Sequence, residues 1–441
     1  MRNRPRRSLF RPAHCTLLGG WLCAQGCGFS QYQVNELADE LRGTSDAGAA
    51  LAQLEALEPP QRDRGLYLLS QGQLKLLTGD FNGSVIALEA AKQHLKTLQA
   101  LSFSETLGAS TVNETLRAYA ATPGERVLLQ ELLALNYLML GQPDAARVEI
   151  LQADVLMGQL AEDDANQGQV ASTRYLSGFI FELHQEWDDA LISYRKAAAI
   201  LDQRGQPLPP ALQQSLLQLT ARNGLSEEYE RYRQRFGVAA ELPLPQHGDI
   251  VLVYWHGQVS QLQQRFISVY APELNQQISL AMPYFPGLPS GTVNASLEIG
   301  KQRRTTVAIE DIDRLARYDL DQREAAIIAA SMVRIVAKQQ AVRAAQRDSP
   351  QLGALLNLTT LLSEIADLRS WNMLPSSIQV ARIRAPEGDH AITLNAGAWH
   401  RIIPVSVSQH RPCLILAIET SRQVFNQACR PATHPSTRHT Q

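Results

Sequence analysis

The segment Gly178–Ala197, GFIFELHQEWDDALISYRKA, carries the pattern that decides the fold of the N-terminal half. Offsets of 7, 5, 4 and 3 residues join Gly178, Gln185, Ala190, Tyr194 and Ala197. Spacings of three and four place residues on one face of a helix, and the polar run in the middle interrupts that face. The segment therefore predicts two antiparallel helices joined by a turn.

The same four offsets recur in two earlier sets of residues. These are Gly72, Gly79, Ser84, Leu88 and Ala91, and then Ala134, Gly141, Ala146, Ile150 and Ala153. The spacing resembles the tetratricopeptide repeat, in which small residues let the two helices of a pair approach closely. The sets begin 62 and then 44 residues apart, so other segments interrupt the array. We predict an irregular tetratricopeptide-like helical solenoid over residues 28–240.

The concave inner face of such a solenoid typically binds peptides or other proteins, so the resemblance implies a protein-binding role. The candidate contact residues on the inner helices are Glu131, Leu135, Tyr175, Phe179 and Glu182. An alternative stays open, because an aromatic pair four residues apart also fits an ordinary core stripe.

A break in the helical pattern separates this half from a strand-rich half. Leu242–Gly248 contains two prolines and a glycine and predicts a linker at residues 241–248. Continuous apolar runs such as Asp249–Trp255 then predict strands, and helical patterns over 312–318, 322–347 and 352–368 interrupt them. We predict an α+β two-domain protein whose second domain, residues 249–422, is an antiparallel sheet or sandwich with a helical insertion. A polar, disordered tail is expected over residues 423–441.

The first residues resemble the signal peptide of a bacterial lipoprotein. Five arginines precede a short apolar segment, Thr16–Ala24, and the stretch ends at Cys27. Such a segment is too short to span a bilayer and is typical of a cleaved signal over residues 1–26. Cys27 is then the lipid-attachment residue, and Gly28 after it favours the outer membrane, facing the periplasm. An ordinary secretory signal or a cytosolic protein with a basic start are the alternatives.

Charge and cysteine usage exclude several classes of partner. The formal charge of −2 becomes −7 once the five arginines of residues 1–26 are removed, which argues against nucleic acid. Cys413 and Cys429 are the cysteines that lie after Cys27, and they either form one disulfide or remain a buried strand residue and a free thiol. No zinc-binding spacing is present, and we expect neither a metal nor another cofactor.

The segment Asp367–Pro375, with Ile378–Arg382 and Pro386–Gly388 after it, is similar to a C-terminal signature of an uncharacterised family of proteobacterial lipoproteins. Members pair a tetratricopeptide-like half with a strand-rich half, and the resemblance assigns no activity. Arg369 and Trp371 in this segment are candidates for contacting an anionic or glycan ligand. The alternative is structural: Arg369 bonds Asp367, and Trp371 fills a seam between helix and sheet.

No sequence motif of a common enzyme class is present: the chain contains no Gly-x-Ser-x-Gly, no His-Glu-x-x-His and no phosphate-binding glycine loop. His256, beside Trp255, is interpreted as a turn residue. We expect a cell-envelope scaffold or adaptor without enzymatic activity, with a periplasmic or outer-membrane protein as its partner. The alternatives are a regulator of peptidoglycan synthesis, a glycan-binding or glycan-processing protein, and a hydrolase assembled from distant residues.

Overall fold

The computed structural model describes residues 29–104, 118–239, 246–272, 275–287, 293–348, 365–409, 411–426 and 429. The signal peptide and Cys27 lie outside these residues. The helices are α1 (Phe29–Thr44), α2 (Ala47–Glu55), α3 (Arg64–Thr78), α4 (Phe81–Ser104), α5 (Pro123–Met139), α6 (Pro143–Asp163), α7 (Ala171–Leu183), α8 (Trp187–Gln203), α9 (Pro210–Arg222), α10 (Ser226–Phe236) and α11 (Ile312–Asp348), with a 3-10 turn at Gln61–Asp63.

The three predicted sets of small residues coincide with three helix pairs, α3 with α4, α5 with α6 and α7 with α8. A Cβ atom on Gly72 would lie 2.5 Å from the side chain of Leu88, and one on Gly178 would lie 2.6 Å from the ring of Tyr194. The glycines are therefore required for the close approach of the two helices. The pair α9 and α10 continues the stack, so the tetratricopeptide-like fold of this half is confirmed.

The predicted turns are also present. Gly79 ends α3 in the left-handed conformation, with φ of 85°, which a glycine adopts without steric cost. Pro143 is the first residue of α6, where its missing N–H is not needed. Thr122 and Glu125 form a reciprocal capping box that begins α5.

The C-terminal half contains a sandwich of two sheets. Its strands are β1 (His247–His256), β2 (Gln263–Ala271), β3 (Gln276–Tyr284), β4 (Ala295–Ile299), β5 (Gln302–Thr305), β6 (Val307–Asp311), β7 (Ser377–Pro386), β8 (Gly388–Ala396), β9 (Trp399–Val407), β10 (Cys413–Ile418) and β11 (Gln423–Phe425). One sheet has the order β11-β10-β1-β7-β6, and the other has the order β5-β4-β8-β9. The hairpin of β2 and β3 packs on α11. The predicted strand-rich fold with a helical insertion is confirmed, but β1 and β10 pair in parallel.

The five-stranded sheet is buried on both faces. Val251, Val253 and Trp255 of β1 belong to the same apolar cluster as the helices, whereas Ile250 and Leu252 pack against the four-stranded sheet. The chain is therefore layered as solenoid, mixed sheet and antiparallel sheet. The absence of polar alternation in β1 follows from this double burial.

Several predicted boundaries are wrong. One helix, α11, replaces the two patterns over 312–318 and 322–347. Residues 349–364 lie outside the described chain, and residues 365–368 at the end of the predicted third helix are not helical. There, the Asp367 carboxylate accepts a hydrogen bond from the backbone N–H of Arg369, and such local side-chain bonds compete with helix formation. Strand β1 begins inside the predicted linker.

The predicted tail is ordered at its start, because β11 pairs with β10 and Phe425 packs edge to face on Phe81, with ring centroids 5.0 Å apart. Cys413 and Cys429 form a disulfide. Both cysteines are buried, so the bridge attaches this last segment to the start of β10.

Candidate functional site

All seven side chains predicted to contact a partner are buried inside the chain. The least exposed are Leu135, Tyr175, Phe179 and Trp371 at 1% each, and Glu131, Glu182 and Arg369 are also buried. They lie where the inner helices α3, α5, α7 and α9 meet the C-terminal half. In the described residues, the inner face of the solenoid is thus covered by the chain's own five-stranded sheet.

A buried ion-pair cluster crosses this internal interface. The Arg382 guanidinium on β7 donates to both carboxylate oxygens of Glu182 on α7, at 2.9 and 2.7 Å, and to Asp249 at 2.8 Å. It also donates to Ser215 Oγ on α9, and Arg384 pairs with Asp249 from the same strand. Burial alone would raise the pKa of Asp249, but the two guanidinium groups hold it below its usual range.

Acidic side chains of the C-terminal half cap the inner helices. Glu310 accepts the backbone N–H of Ala171 at the start of α7, at 2.6 Å, and pairs with Arg204. Asp319 on α11 accepts the N–H of Gly124 at the start of α5, at 2.8 Å. A carboxylate at a helix N-terminus satisfies free N–H groups and the helix dipole. These contacts fix the orientation of the solenoid on the sheet.

Arg369 and Trp371 take part in the same interface. Arg369 bonds Asp367 at 2.6 Å and Asp63 at 2.7 Å, and the Trp371 backbone N–H donates to Glu125. The cavity beside them has a volume of about 30 Å³. That is space for a water molecule and not for a sugar ring. The geometry matches the structural alternative, in which the arginine is paired and the indole fills the seam.

Glu131 is buried in this interface without a cation among its hydrogen-bond partners. Burial raises its pKa to about 7, although Ser172 and Thr173 donate hydrogen bonds to it. Between its ordinary value of 4.5 and about 7, the folded chain holds a proton that the unfolded chain lacks. Stability therefore falls as the pH rises through that window, by about 3 kcal/mol in total.

We expect Glu131→Gln to raise the free energy of unfolding at pH 8 by up to about 3 kcal/mol and to change it little below pH 5. The amide oxygen still accepts from Ser172 and Thr173. Urea unfolding at a series of pH values measures the difference, with Glu36→Gln at an exposed position of α1 as control. Equal gains at low and high pH would show that ionisation of Glu131 is not the cause.

The described residues form two concave surfaces of several hundred Å³ that open to solvent. The first, which we name the outer groove, has a volume of about 550 Å³ and is lined by residues of α4, α5 and α6. It is lined by Lys92, Gln93, Leu95, Lys96, Arg126, Leu129, Gln130, Val148, Leu151, Gln152, Val155, Leu156 and Gln159.

The outer groove combines exposed apolar side chains with unsatisfied polar groups. Val148, Leu151 and Val155 are 51%, 39% and 61% exposed. Within the described chain, Arg126 has no ion-pair or hydrogen-bond partner, and burial lowers its pKa. Gln130 is 92% buried, and its Oε1 atom accepts no hydrogen bond from any described residue. Among the described residues, the groove thus offers an apolar surface, a cation without a partner and an acceptor without a partner.

The second surface, which we name the strand-end cavity, has a volume of about 920 Å³ and lies where the parallel strands β1 and β10 end. His256 ends β1, and its Nδ1 atom is 2.6 Å from Oε2 of Glu419. Burial would raise the pKa of Glu419, but the neighbouring His256 imidazole and a hydrogen bond from the Gly257 N–H hold it below its usual range. His256 is therefore the last residue of a strand and lies beside a carboxylate, which corrects its interpretation as a turn residue.

Sequence reasoning found neither open surface. One sequence pattern could have indicated the outer groove. Val148, Leu151 and Val155 form a second apolar stripe on α6, beside the buried stripe that contains Ile150 and Met157. No local sequence pattern indicates that His256 lies beside Glu419, because this proximity depends on the parallel pairing of strands far apart in sequence. No cluster of three or more metal-binding side chains occurs among the residues with described positions.

No protein-family model and no curated protein matches the chain. Among solved structures, MamA aligns with 45% of this chain and 91% of its own length, at 17% identity and a TM-score of 0.30. A Rap protein complexed with competence and sporulation factor aligns with 50% of this chain and 54% of its own, at 15% identity and a TM-score of 0.29. For aspartyl phosphate phosphatase F from Bacillus subtilis both coverages are 48%, with 15% identity and a TM-score of 0.31. TM-scores this low support no functional argument, so the function is inferred from the geometry of the chain itself.

Proposed function

We propose that this chain is a protein-binding adaptor of the cell envelope and that it binds its partner in the outer groove. The observation that carries the proposal is the joint presence there of an exposed apolar stripe and of Arg126, which has no partner among the described residues. The inner face, which a tetratricopeptide-like solenoid commonly offers, is buried against the five-stranded sheet. The outer groove, formed by α4, α5 and α6, is therefore the surface that we propose for binding another protein.

The chemistry of the groove specifies the partner. Val148, Leu151 and Val155 recur at intervals of three and four residues and form a strip that suits the apolar face of an amphipathic helix. Arg126 and the exposed Lys96 supply positive charge at its border, in a protein that is acidic as a whole. A carboxylate of the partner would pair with the Arg126 guanidinium. The expected partner segment is thus an amphipathic helix with an acidic edge.

Peptide binding to the full mature chain tests this proposal. We expect fluorescein-labelled amphipathic peptides with glutamates at the edge of the apolar face to bind, and the same peptides with lysines there not to bind. Val155→Asp and Arg126→Gln should each weaken binding at least tenfold, about 1.4 kcal/mol. Fluorescence anisotropy measures the affinities.

The matched control is Ile86→Asp, which places the same charge at a 72% exposed apolar residue of α4 that does not line the groove. It should leave the affinity unchanged. Equal binding of the glutamate and lysine peptides, or equal loss in Ile86→Asp and Val155→Asp, would rule out the outer groove as the docking site.

The adaptor is proposed to be held at the outer membrane, facing the periplasm, by a lipid on Cys27. The basic and apolar signal over residues 1–26 supports this location. Among the helices whose positions are described, none combines the length and the hydropathy needed to cross a bilayer. Metabolic labelling with a palmitate analogue should mark the wild-type chain and not Cys27→Ser. A labelled Cys27→Ser variant, or an unlabelled wild type, would remove the basis for this anchor.

A further inference from the structure

Three side chains with catalytic chemistry lie in a row across neighbouring strands at the strand-end cavity. His256 is directly opposite Ser377 in the antiparallel pairing of β1 with β7. Glu419 follows the last paired residue of β10, which runs parallel to β1 on its other side. Residues that are level on neighbouring strands project from the same face of a sheet. The order across that face is therefore Ser377, His256, Glu419.

The histidine in the middle of the row lies next to a carboxylate. Its Nδ1 atom faces the Glu419 carboxylate at 2.6 Å, and that carboxylate is fixed by the Gly257 N–H at 2.8 Å. A proton on Nδ1 leaves Nε2 as the acceptor, and Nε2 receives only a long contact of 3.3 Å from the Val293 N–H among the described residues. An imidazole with this arrangement can accept a proton at Nε2.

Ser377 supplies the hydroxyl. Its side chain is buried, yet Oγ has no hydrogen-bond partner within the described part of the chain. Directly opposite residues of antiparallel strands have Cβ atoms about 5 Å apart. The register therefore places the Ser377 side chain beside the imidazole on the same face of the sheet. A buried, unsatisfied hydroxyl costs stability and calls for a functional explanation.

The cavity in front of the row has room for a ligand. Its volume of about 920 Å³ falls in the range of small-molecule sites. Gln206, Gln258, Asp311 and Arg422 line it together with the three residues of the row, so its walls are polar. The position, just beyond the carboxyl ends of two parallel strands, is where open sheets commonly bind ligands.

We propose that Ser377, His256 and Glu419 form a hydrolytic site for an ester on a polar substrate. Ser377 Oγ attacks the ester carbonyl carbon, and its proton passes to His256 Nε2. The carbon–oxygen bond of the leaving group breaks, and His256 gives the proton to the departing alkoxide. Water then attacks the acyl-serine, with its proton taken by His256, and releases the acid and the free serine. Glu419 is a positioning residue that acts through His256.

A fluorophosphonate probe tests the nucleophile in the full mature chain. The probe should label the wild type covalently, and Ser377→Ala should abolish labelling. Ser376→Ala is the matched control, because Ser376 lines the same cavity and its hydroxyl donates to the His256 backbone oxygen. It should be labelled like the wild type. Because a buried hydroxyl without a partner costs stability, Ser377→Ala should not lower the melting temperature, which separates lost chemistry from lost folding.

Hydrolysis of p-nitrophenyl acetate tests the other two roles. His256→Ala should lower kcat at least a hundredfold. Glu419→Ala should lower kcat with little change in KM, and Glu419→Asp should recover part of the loss. A wild-type chain that is not labelled, labelling that persists in Ser377→Ala, or hydrolysis that is equal in His256→Ala and the wild type would each overturn the proposal. The adaptor function is untouched by these outcomes, since its groove is elsewhere.

Discussion

Arg382→Met is expected to lower the free energy of unfolding by about 3–5 kcal/mol, among the largest losses for a single substitution in this chain. The methionine leaves Glu182, which is 5% exposed, without a countercharge inside the interface. Asp249 keeps Arg384, so Glu182 accounts for most of the penalty. Urea unfolding at pH 7, followed by circular dichroism, measures the change.

The partner substitution separates the cost of an unpaired charge from lost packing. Glu182→Gln retains an acceptor for the Tyr194 hydroxyl, which donates to Glu182 at 2.6 Å. Combined with Arg382→Met, it should restore at least half of the loss. Arg303→Met breaks an exposed pair with Glu298 and should cost less than about 1 kcal/mol. A loss in Arg382→Met no larger than that of Arg303→Met would mean that the buried cluster does not hold the two halves together.

The helical half could be predicted because its pattern reports local geometry. Gly72 opposite Leu88 and Gly178 opposite Tyr194 permit close helix contacts that a larger residue would prevent. Such contacts join residues close in sequence, and their spacing repeats. The turns follow from equally local rules, as Gly79 shows with its positive φ.

The surface that covers the inner face could not be predicted from the same residues. Tyr175 and Phe179 are apolar residues at helical spacing that lie on a covered face. The same pattern is expected whether the surface that covers them belongs to a second protein or to the same chain. The sequence therefore indicated that this face is covered without indicating by what. The structure shows that β1 is buried on both faces, with one face against the helices. That contact identifies the covering surface, and it is seen only when the helices and strands are placed together.

The candidate sites could not be predicted from the sequence for a related reason, since they depend on contacts between distant segments. His256 and Glu419 meet because β1 and β10 are parallel neighbours, a pairing between distant segments that no local pattern encodes. The disulfide between Cys413 and Cys429 was one of two alternatives, and only their placement decides it. Val148 and Val155 lie on an amphipathic helix, and the sequence does not distinguish their exposure from burial against a neighbouring helix.

In the described residues, the five-stranded sheet of this chain, and not another protein, occupies the inner face of its solenoid. A protease site inserted between Ala239 and Gln246 allows the two halves of the folded, full-length chain to be separated covalently. The buried apolar contacts and the Arg382 cluster should keep the cleaved halves together as one species.

Size-exclusion chromatography of the cleaved chain at physiological salt is the most direct measurement. The predicted result is a single peak that contains both halves in equal amounts and has the elution volume of the uncleaved chain. Phe179→Asp on the inner face should weaken that association, and Val155→Asp in the outer groove should not. Two separate peaks from the cleaved wild type, each soluble and monomeric, would contradict the claim.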